Sequence, residues 1–237
     1  TQWRRKEEPF EFVRFSLHTK VVLIITALLL GVGTIAYLVI EFNNPATLGP
    51  LPLDEKLLAA MFQSVTSRTA GFSTIVLGNM QDSSILIMMF LMFVGGSPGS
   101  TSGGIKTTTF GIVLLAVYAV VRGREELVVL GRRISVPTIL KSLAVIVVSM
   151  MLILTSLISL SLVENTSLLQ LAFEVISAFS TTGASIGATT QLSIIGKFIL
   201  MLTMFLGRIG PLTIMLALTV KSKKSKLQYP EGQIMIG

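Results

Sequence analysis

Five apolar runs, at 21–40, 85–94, 110–121, 139–163 and 194–220, set the terms on which this chain can fold. They show no polar face at helical or strand spacing, the pattern of segments surrounded by hydrocarbon. Three have the roughly 20 residues that a helix needs to cross a core about 30 Å thick. The second and third are too short alone. Together they cover 80–121, interrupted by Gly95, Gly96, Ser97, Pro98, Gly99, Ser100, Thr101, Ser102, Gly103 and Gly104. As one element, they form a helix broken in mid-membrane. Backbone without helical hydrogen bonds is tolerated at that depth only inside protein or beside water. The break is therefore expected to line a cavity or pore.

Charge supports the same reading. Only 13% of residues are charged, against about a quarter in a soluble domain. Of the 19 Lys and Arg, 14 lie in three clusters, around 4–20, 122–141 and 221–226. Each cluster abuts an apolar span, so the positive-inside rule explains it better than nucleic acid does and makes all three cytoplasmic. Four spans then put both ends on one side and leave 43–79 and 164–193 outside. There Glu41, Asp54, Glu55, Asp82, Glu164 and Glu174 outnumber Lys56, Arg68 and Lys197, which predicts an outer field attractive to cations. The chain has no cysteine and one histidine, His18, so disulfides, thiolate sites and histidine metal clusters are excluded. No acid–base or nucleophile constellation points to an enzyme. Thr1, with neither a Met nor signal-peptide features, reads as the start of a piece of something longer.

The outer segments are alike. Each holds a short amphipathic stretch, 54–67 and 167–179, followed at once by a small, polar, glycine-containing run. Superposing Gly71 on Gly183 pairs Thr69 with Thr181, Ser73 with Ser185 and Ala60 with Ala172. The helical part, Phe62 against Phe173, prefers a register one residue different. Two copies of span–short helix–loop–span, about 110 residues apart, follow. The predicted organisation is a cytoplasmic segment 1–20, repeat A at 21–121, a cytoplasmic linker 122–136, repeat B at 137–220 and a cytoplasmic tail 221–237. Repeat A comprises span 21–41, pore helix 54–67, filter loop 68–74 and broken span 80–121 with its loop at 95–105. Repeat B comprises span 137–163, pore helix 167–179, filter loop 180–186 and span 194–220. The fold class is all-α membrane protein with two parallel span–pore helix–span repeats.

A short helix dipping back into the membrane directs its negative dipole end inward. The loop that follows can aim carbonyls at a pore axis, and rings of carbonyls replace the hydration shell of K⁺ in potassium filters. Glycine suits the middle of such a loop because positive φ costs it nothing. Ordinary outer turns would not need two such loops at matching positions.

Four motifs carry a resemblance: 62–72 with Arg68-Thr-Ala-Gly71, the break at 95–107, 173–183 ending in Thr181-Thr-Gly183, and Gly207-Arg-Ile-Gly-Pro-Leu-Thr213. In this order they resemble the Trk/Ktr/HKT potassium transporters, most nearly the bacterial KtrB-type membrane subunit. That resemblance implies half of a pseudo-fourfold, potassium-channel-like pore, with these two repeats as the third and fourth; two loops alone do not complete a filter. It implies a selectivity filter at Thr69, Ala70, Gly71, Phe72, Thr181, Thr182, Gly183 and Ala184, with K⁺ held by backbone carbonyls. It implies a gate in the 95–104 loop, together with Lys106 and Arg208. It further implies a homodimer in the plasma membrane, docked on a cytoplasmic ring of nucleotide-binding regulatory subunits. It implies transport of K⁺, with Na⁺ as an activator and no covalent cofactor.

Several readings stay open on the residues alone. Gly99 to Thr107 approaches a phosphate-loop pattern, but Ile105 stands where its lysine belongs and no strand precedes it. Lys106 either caps the inner half-helix or snorkels, or it serves the gate. Arg208, halfway along 194–220, costs at least ~2.5–3.5 kcal/mol in hydrocarbon unless paired or wet. It is either an anchor or a pore-facing charge. The rival mechanism is an ion-coupled secondary transporter with a midplane site; its repeats are commonly inverted, whereas these run in the same sense.

Overall fold

The computed structural model describes residues 15–124 and 126–209. The first 14 residues, the tail, the last four residues of motif 207–213 and residues 210–220 of the span predicted at 194–220 lie outside the described residues.

The chain enters through α1 (Leu17–Glu41), started by Ser16, whose hydroxyl accepts from Thr19 N at 3.2 Å. Its 25 residues rise about 37 Å, enough to cross a bilayer. It begins four residues before the apolar run, because Ser16 and not hydrophobicity sets the start. The short re-entrant helix α2 (Leu53–Thr66) follows, with Asp54 and Glu55 in its positive first turn. After a loop come α3 (Asp82–Phe93) and α4 (Thr107–Val121), at 12 and 15 residues each about half a span. The predicted linker folds into a hairpin, β1 (Val128–Val129) with β2 (Arg132–Arg133), which the apolar periodicity did not announce. Leu130 and Gly131 both have positive φ, as a two-residue primed turn requires. Repeat B then runs as α5 (Val136–Ser161), the re-entrant α6 (Leu168–Ser180), the four-residue α7 (Ala188–Gln191) and α8 (Ile194–Ile209).

In each repeat the first span packs on the re-entrant helix. Small residues allow it: a Cβ on Gly33 of α1 would lie 2.7 Å from Leu91 Cδ1 and overlap Ser64. Ser64 Oγ donates to Leu30 O at 2.9 Å, tying α2 to α1. One apolar core joins α1, α2 and α3 around Tyr37, Met88, Leu91 and Met92. A second joins α5, α6 and α8 around Ile153, Leu160, Phe179 and Leu200. Phe93 and Ile176 touch both, so α3 against α6 is the seam between repeats.

The outside is apolar. Only 22% of the most hydrophobic window of α1, and the same share for α5, is buried. A soluble protein does not expose helices of that hydropathy, so their outer faces belong to lipid.

Candidate ion pathway

The two re-entrant helices end in loops that share positive φ at two equivalent positions. Thr69 and Gly71 have φ of 72° and 78°, and Thr181 and Gly183 have 56° and 79°. A β-branched residue at positive φ is an outlier, costing about 1–3 kcal/mol that the surroundings must supply. Here it occurs twice at equivalent positions. The helix register differs by one residue, and the structure shows where the difference goes. Ala70 N bonds back to Thr66 O, whereas Thr182 N bonds back to Ser177 O, so the extra residue of repeat B is absorbed in the last turn of α6.

The loops meet. A Cβ added to Gly71 would overlap the carbonyl oxygen of Thr182, so the backbones touch there and only glycine fits. Among the described residues, no donor reaches the carbonyls of Thr69, Ala70, Gly71, Thr181, Thr182 or Gly183. The other two residues named from the resemblance differ. Phe72 O accepts from Thr66 Oγ1 at 2.5 Å, and Ala184 O accepts from Ser177 Oγ at 2.6 Å. These carbonyls are turned back on the re-entrant helices, which takes Phe72 and Ala184 out of the row of free carbonyls. Behind loop B, buried Glu174 accepts from Ser185 Oγ at 2.5 Å and from Thr189 Oγ1, while Ser180 and Thr182 pair their hydroxyls at 2.7 Å.

The break between α3 and α4 spans 94–106 and is closed at its base. Val94 and Ile105 are fully buried and form a parallel bridge, with Ile105 N donating to Phe93 O and Thr107 N to Gly96 O, each at 3.1 Å. The result is a compact loop with neighbouring ends. Gly95, Gly103 and Gly104 of the base are buried, whereas Gly99, Ser100 and Thr101 at the tip are exposed. Gly96 N donates to Ser102 Oγ at 2.6 Å and Ser100 N to Ser97 O at 3.1 Å, with Pro98 between them.

Three cations converge on the carbonyls of this loop. Arg208 Nη1 donates to Thr101 O, so its partner in the membrane is the loop tip. Lys106 stands at the N-cap position of α4 but makes no cap bond. Its Nζ bends back to Ser102 O at 2.5 Å and Ser100 O at 3.4 Å, which is neither the capping nor the snorkelling role that its position suggested. Arg68 Nη2 donates to Gly95 O at 3.1 Å. Sequence reasoning counted Arg68 among the outer charges and missed this contact, since residue type and position do not say which way a loop side chain turns. Lys106, Arg208 and the loop backbone enclose a polar cavity of about 270 Å³.

The outer-field expectation also changes. Glu41 is fully buried, accepting from Asn44 Nδ2 and Thr47 Oγ1 at 2.6 Å and from Gln81 N at 2.9 Å. Glu164 accepts from Ser193 N and Oγ at 3.0 and 2.6 Å. With Glu174 also buried, two of the six acids are committed inside the fold and a third, Glu164, is half-exposed and tied to Ser193.

Two span–short helix–span units in the same sense, with converging loops and a broken helix against them, define an all-α membrane protein of two parallel repeats. The chain belongs to the TrkH family, described as cation transport proteins, which it matches over residues 8–228. It is 41% identical over 226 residues to Ktr system potassium uptake protein B of Bacillus subtilis, covering 95% of this chain and 51% of that protein. It is 37% identical over 241 residues to the potassium/sodium uptake protein NtpJ of Enterococcus hirae, covering 99% and 53%. The crystal structure of the potassium transporter TrkH from Vibrio parahaemolyticus superposes with a TM-score of 0.68 at 19% identity, covering 86% of this chain and 44% of that one. The chain thus spans about half the length of the curated relatives it matches.

Proposed function

We propose that this chain supplies two of the four loops of a pseudo-fourfold pore for potassium uptake, together with its gate. The observation that carries the reading is the set of six donor-free carbonyls, at 69–71 and 181–183, on two loops of equal backbone that touch at Gly71 and Thr182. Such carbonyls are what a partly dehydrated K⁺ needs in place of water. Thr69, Ala70, Gly71, Thr181, Thr182 and Gly183 line the filter, and Phe72 and Ala184 end it. Below the filter, loop 94–106 crosses the path, fastened by Arg208 and Lys106, whose charges oppose a cation at rest. Both ends of the chain are cytoplasmic and the membrane is the plasma membrane. The hairpin at 128–133 and the tail, which lies outside the described residues, face a nucleotide-binding regulatory ring under a homodimer of the complete subunit. Na⁺ acts as an activator, and a relative named for both potassium and sodium uptake is consistent with both ions meeting this site. The like sense of the two repeats and their open carbonyl row favour a pore over an ion-coupled secondary transporter.

Rubidium tracer uptake into liposomes, by the complete protein with and without its regulatory partner, tests this. Arg208→Gln is expected to raise basal uptake severalfold and shrink the gain from the partner. Wild-type flux with full regulation, in a variant that inserts normally, would reduce the loop to packing.

A further inference from the structure

The intramembrane loop is bonded to both filter loops as well as to Arg208. Arg68 follows the end of α2 and leads directly into Thr69; its guanidinium reaches Gly95 O at 3.1 Å. At the other end of the loop, Gly103 N donates to Thr181 Oγ1 at 3.0 Å. Thr69 and Thr181 are the two β-branched residues of the filter held at positive φ, at 72° and 56°. Such a conformation persists only where neighbours over-determine it, and in each repeat this loop supplies one of the constraints. The two tethers share a base. A Cβ on Gly95 would overlap Gly103 O, and one on Gly103 would lie 2.7 Å from both Ser180 O and Thr181 Oγ1. Gly95 and Gly103 are buried, Val94 and Ile105 are fully buried, and the bridge between the last two closes the base. The tip lacks such packing: Gly99 to Thr101 are exposed, nothing among the described residues lies near a Cβ on Gly99, and the side chains that hold the tip from outside it are Arg208 on Thr101 O and Lys106 on Ser100 O at 3.4 Å.

We propose that the loop divides into a tip that moves and a base that is part of the filter, and that Arg68 is a specificity-determining positioning residue acting through Gly95. Opening displaces the tip from Arg208 and from the long Lys106–Ser100 contact, while Arg68 and Thr181 keep the base, and with it the two strained threonines, in place. Ion selection then survives gating because the moving part carries none of the tethers. Arg68 touches no ion; it sets the geometry of the carbonyls that do. The inference rests on the pore reading above.

The test measures the K⁺/Na⁺ permeability ratio and basal flux of the complete protein in liposomes. Arg68→Gln is expected to lower the ratio about tenfold, the usual scale of coupling between two sites. Arg68→Lys, which keeps the charge but loses the planar reach of the guanidinium, is expected to recover part of it. Arg208→Gln is expected to raise flux with the ratio unchanged. An inserted Arg68→Gln protein with wild-type selectivity overturns the proposal. So does an Arg208→Gln protein whose ratio falls like that of Arg68→Gln, since base and tip then move together. If Arg68→Gln does not insert, Arg68→Lys decides alone: a reduced ratio supports the strut and an unchanged one ends it. A shifted ratio in Arg68→Gln with unaltered flux in Arg208→Gln would keep the strut while removing the gate.

Discussion

The proposed filter loops of repeats A and B match in φ at two positions and differ in their supports. Loop B is backed by its own repeat: Thr182 and Ala184 are buried, and Glu174 holds Ser185 and Thr189 from behind. Loop A is open on that side. Phe72, at the position of Ala184, is 73% exposed, and Gln63 takes the place of Glu174, with only Met88 Sδ as a partner at 3.3 Å. Loop A is instead closed on its other side by loop B, where Gly71 meets Thr182 O, whereas nothing lies within 4 Å of a Cβ on Gly183. Different scaffolding that converges on equal φ angles at two positions shows the backbone path to be the required feature. In the proposed ring each glycine would meet the next loop, as Gly71 meets loop B.

The strongest way to break this comparison is to add one methyl group to each glycine. Both positions have positive φ, so each Ala bears about 1–2 kcal/mol of backbone cost. Only Gly71→Ala also drives a carbon into the Thr182 carbonyl. Gly71→Ala is therefore expected to abolish selective uptake and destabilise the protein by more than about 4 kcal/mol. In a chain of this length Gly183→Ala is expected to show the backbone cost alone in thermal unfolding. If the complete subunit shows equal losses at both glycines, a further loop closes on Gly183 as loop B closes on Gly71.

Next in size is the pair behind the loops. Gln63 is buried with its Oε1 unpartnered, so Gln63→Glu puts a charge where a thioether is the neighbour. A loss of about 3 kcal/mol is expected, the scale of an uncompensated buried charge. Glu174→Gln keeps an acceptor for one of its two hydroxyls and is expected to cost about 1–2 kcal/mol. Melting temperatures in detergent rank the two variants, and a larger loss for Glu174→Gln would show that the acid, and not the burial, organises loop B.

Much of this was legible in the sequence because it rests on spacing. Apolar runs mark spans, and the glycine-rich interruption marks a break that hydrocarbon does not tolerate unless it is covered. The pairing of Thr69 with Thr181 and of Gly71 with Gly183, even with the helix register off by one, located two loops that share φ angles. An arginine at mid-span demanded acceptors, and Thr101 O is one. Spacing does not tell which way a polar side chain turns. Arg68, Glu41 and Glu174 were therefore counted as outer charges, although Arg68 turns to Gly95 and the two acids are buried. The bonds to the Phe72 and Ala184 carbonyls were hidden for a related reason: the hydroxyls that make them, on Thr66 and Ser177, stand six and seven residues upstream on the helices. The hairpin at 128–133 was missed because two-residue strands carry no periodicity and its turn rests on positive φ at Leu130 and Gly131.

The smallest expected difference concerns the helix ends, where the repeats look least alike in sequence. Glu41 and Glu164 both close the first span of their repeat and both accept from the backbone at the start of the next long helix, at Gln81 N and Ser193 N. Gln81 and Ser193 have the same separation as Gly71 and Gly183, so the repeat extends to these caps. A carboxylate at a helix N-terminus is favoured by the dipole and by the free N–H groups there. The two sites differ in depth: Glu41 is fully buried and accepts three bonds from three residues, whereas Glu164 takes both of its bonds from Ser193 alone. Glu41→Gln is expected to cost about 2 kcal/mol and Glu164→Gln about 1 kcal/mol, read as the shift of the unfolding midpoint. Neither is expected to alter the K⁺/Na⁺ ratio, because each acid stiffens the entry to a span and not a loop of the proposed filter. A change in that ratio on replacing Glu41 would mean that α3 transmits the strain of its cap through Phe93 to the base of the intramembrane loop, where Ile105 N bonds.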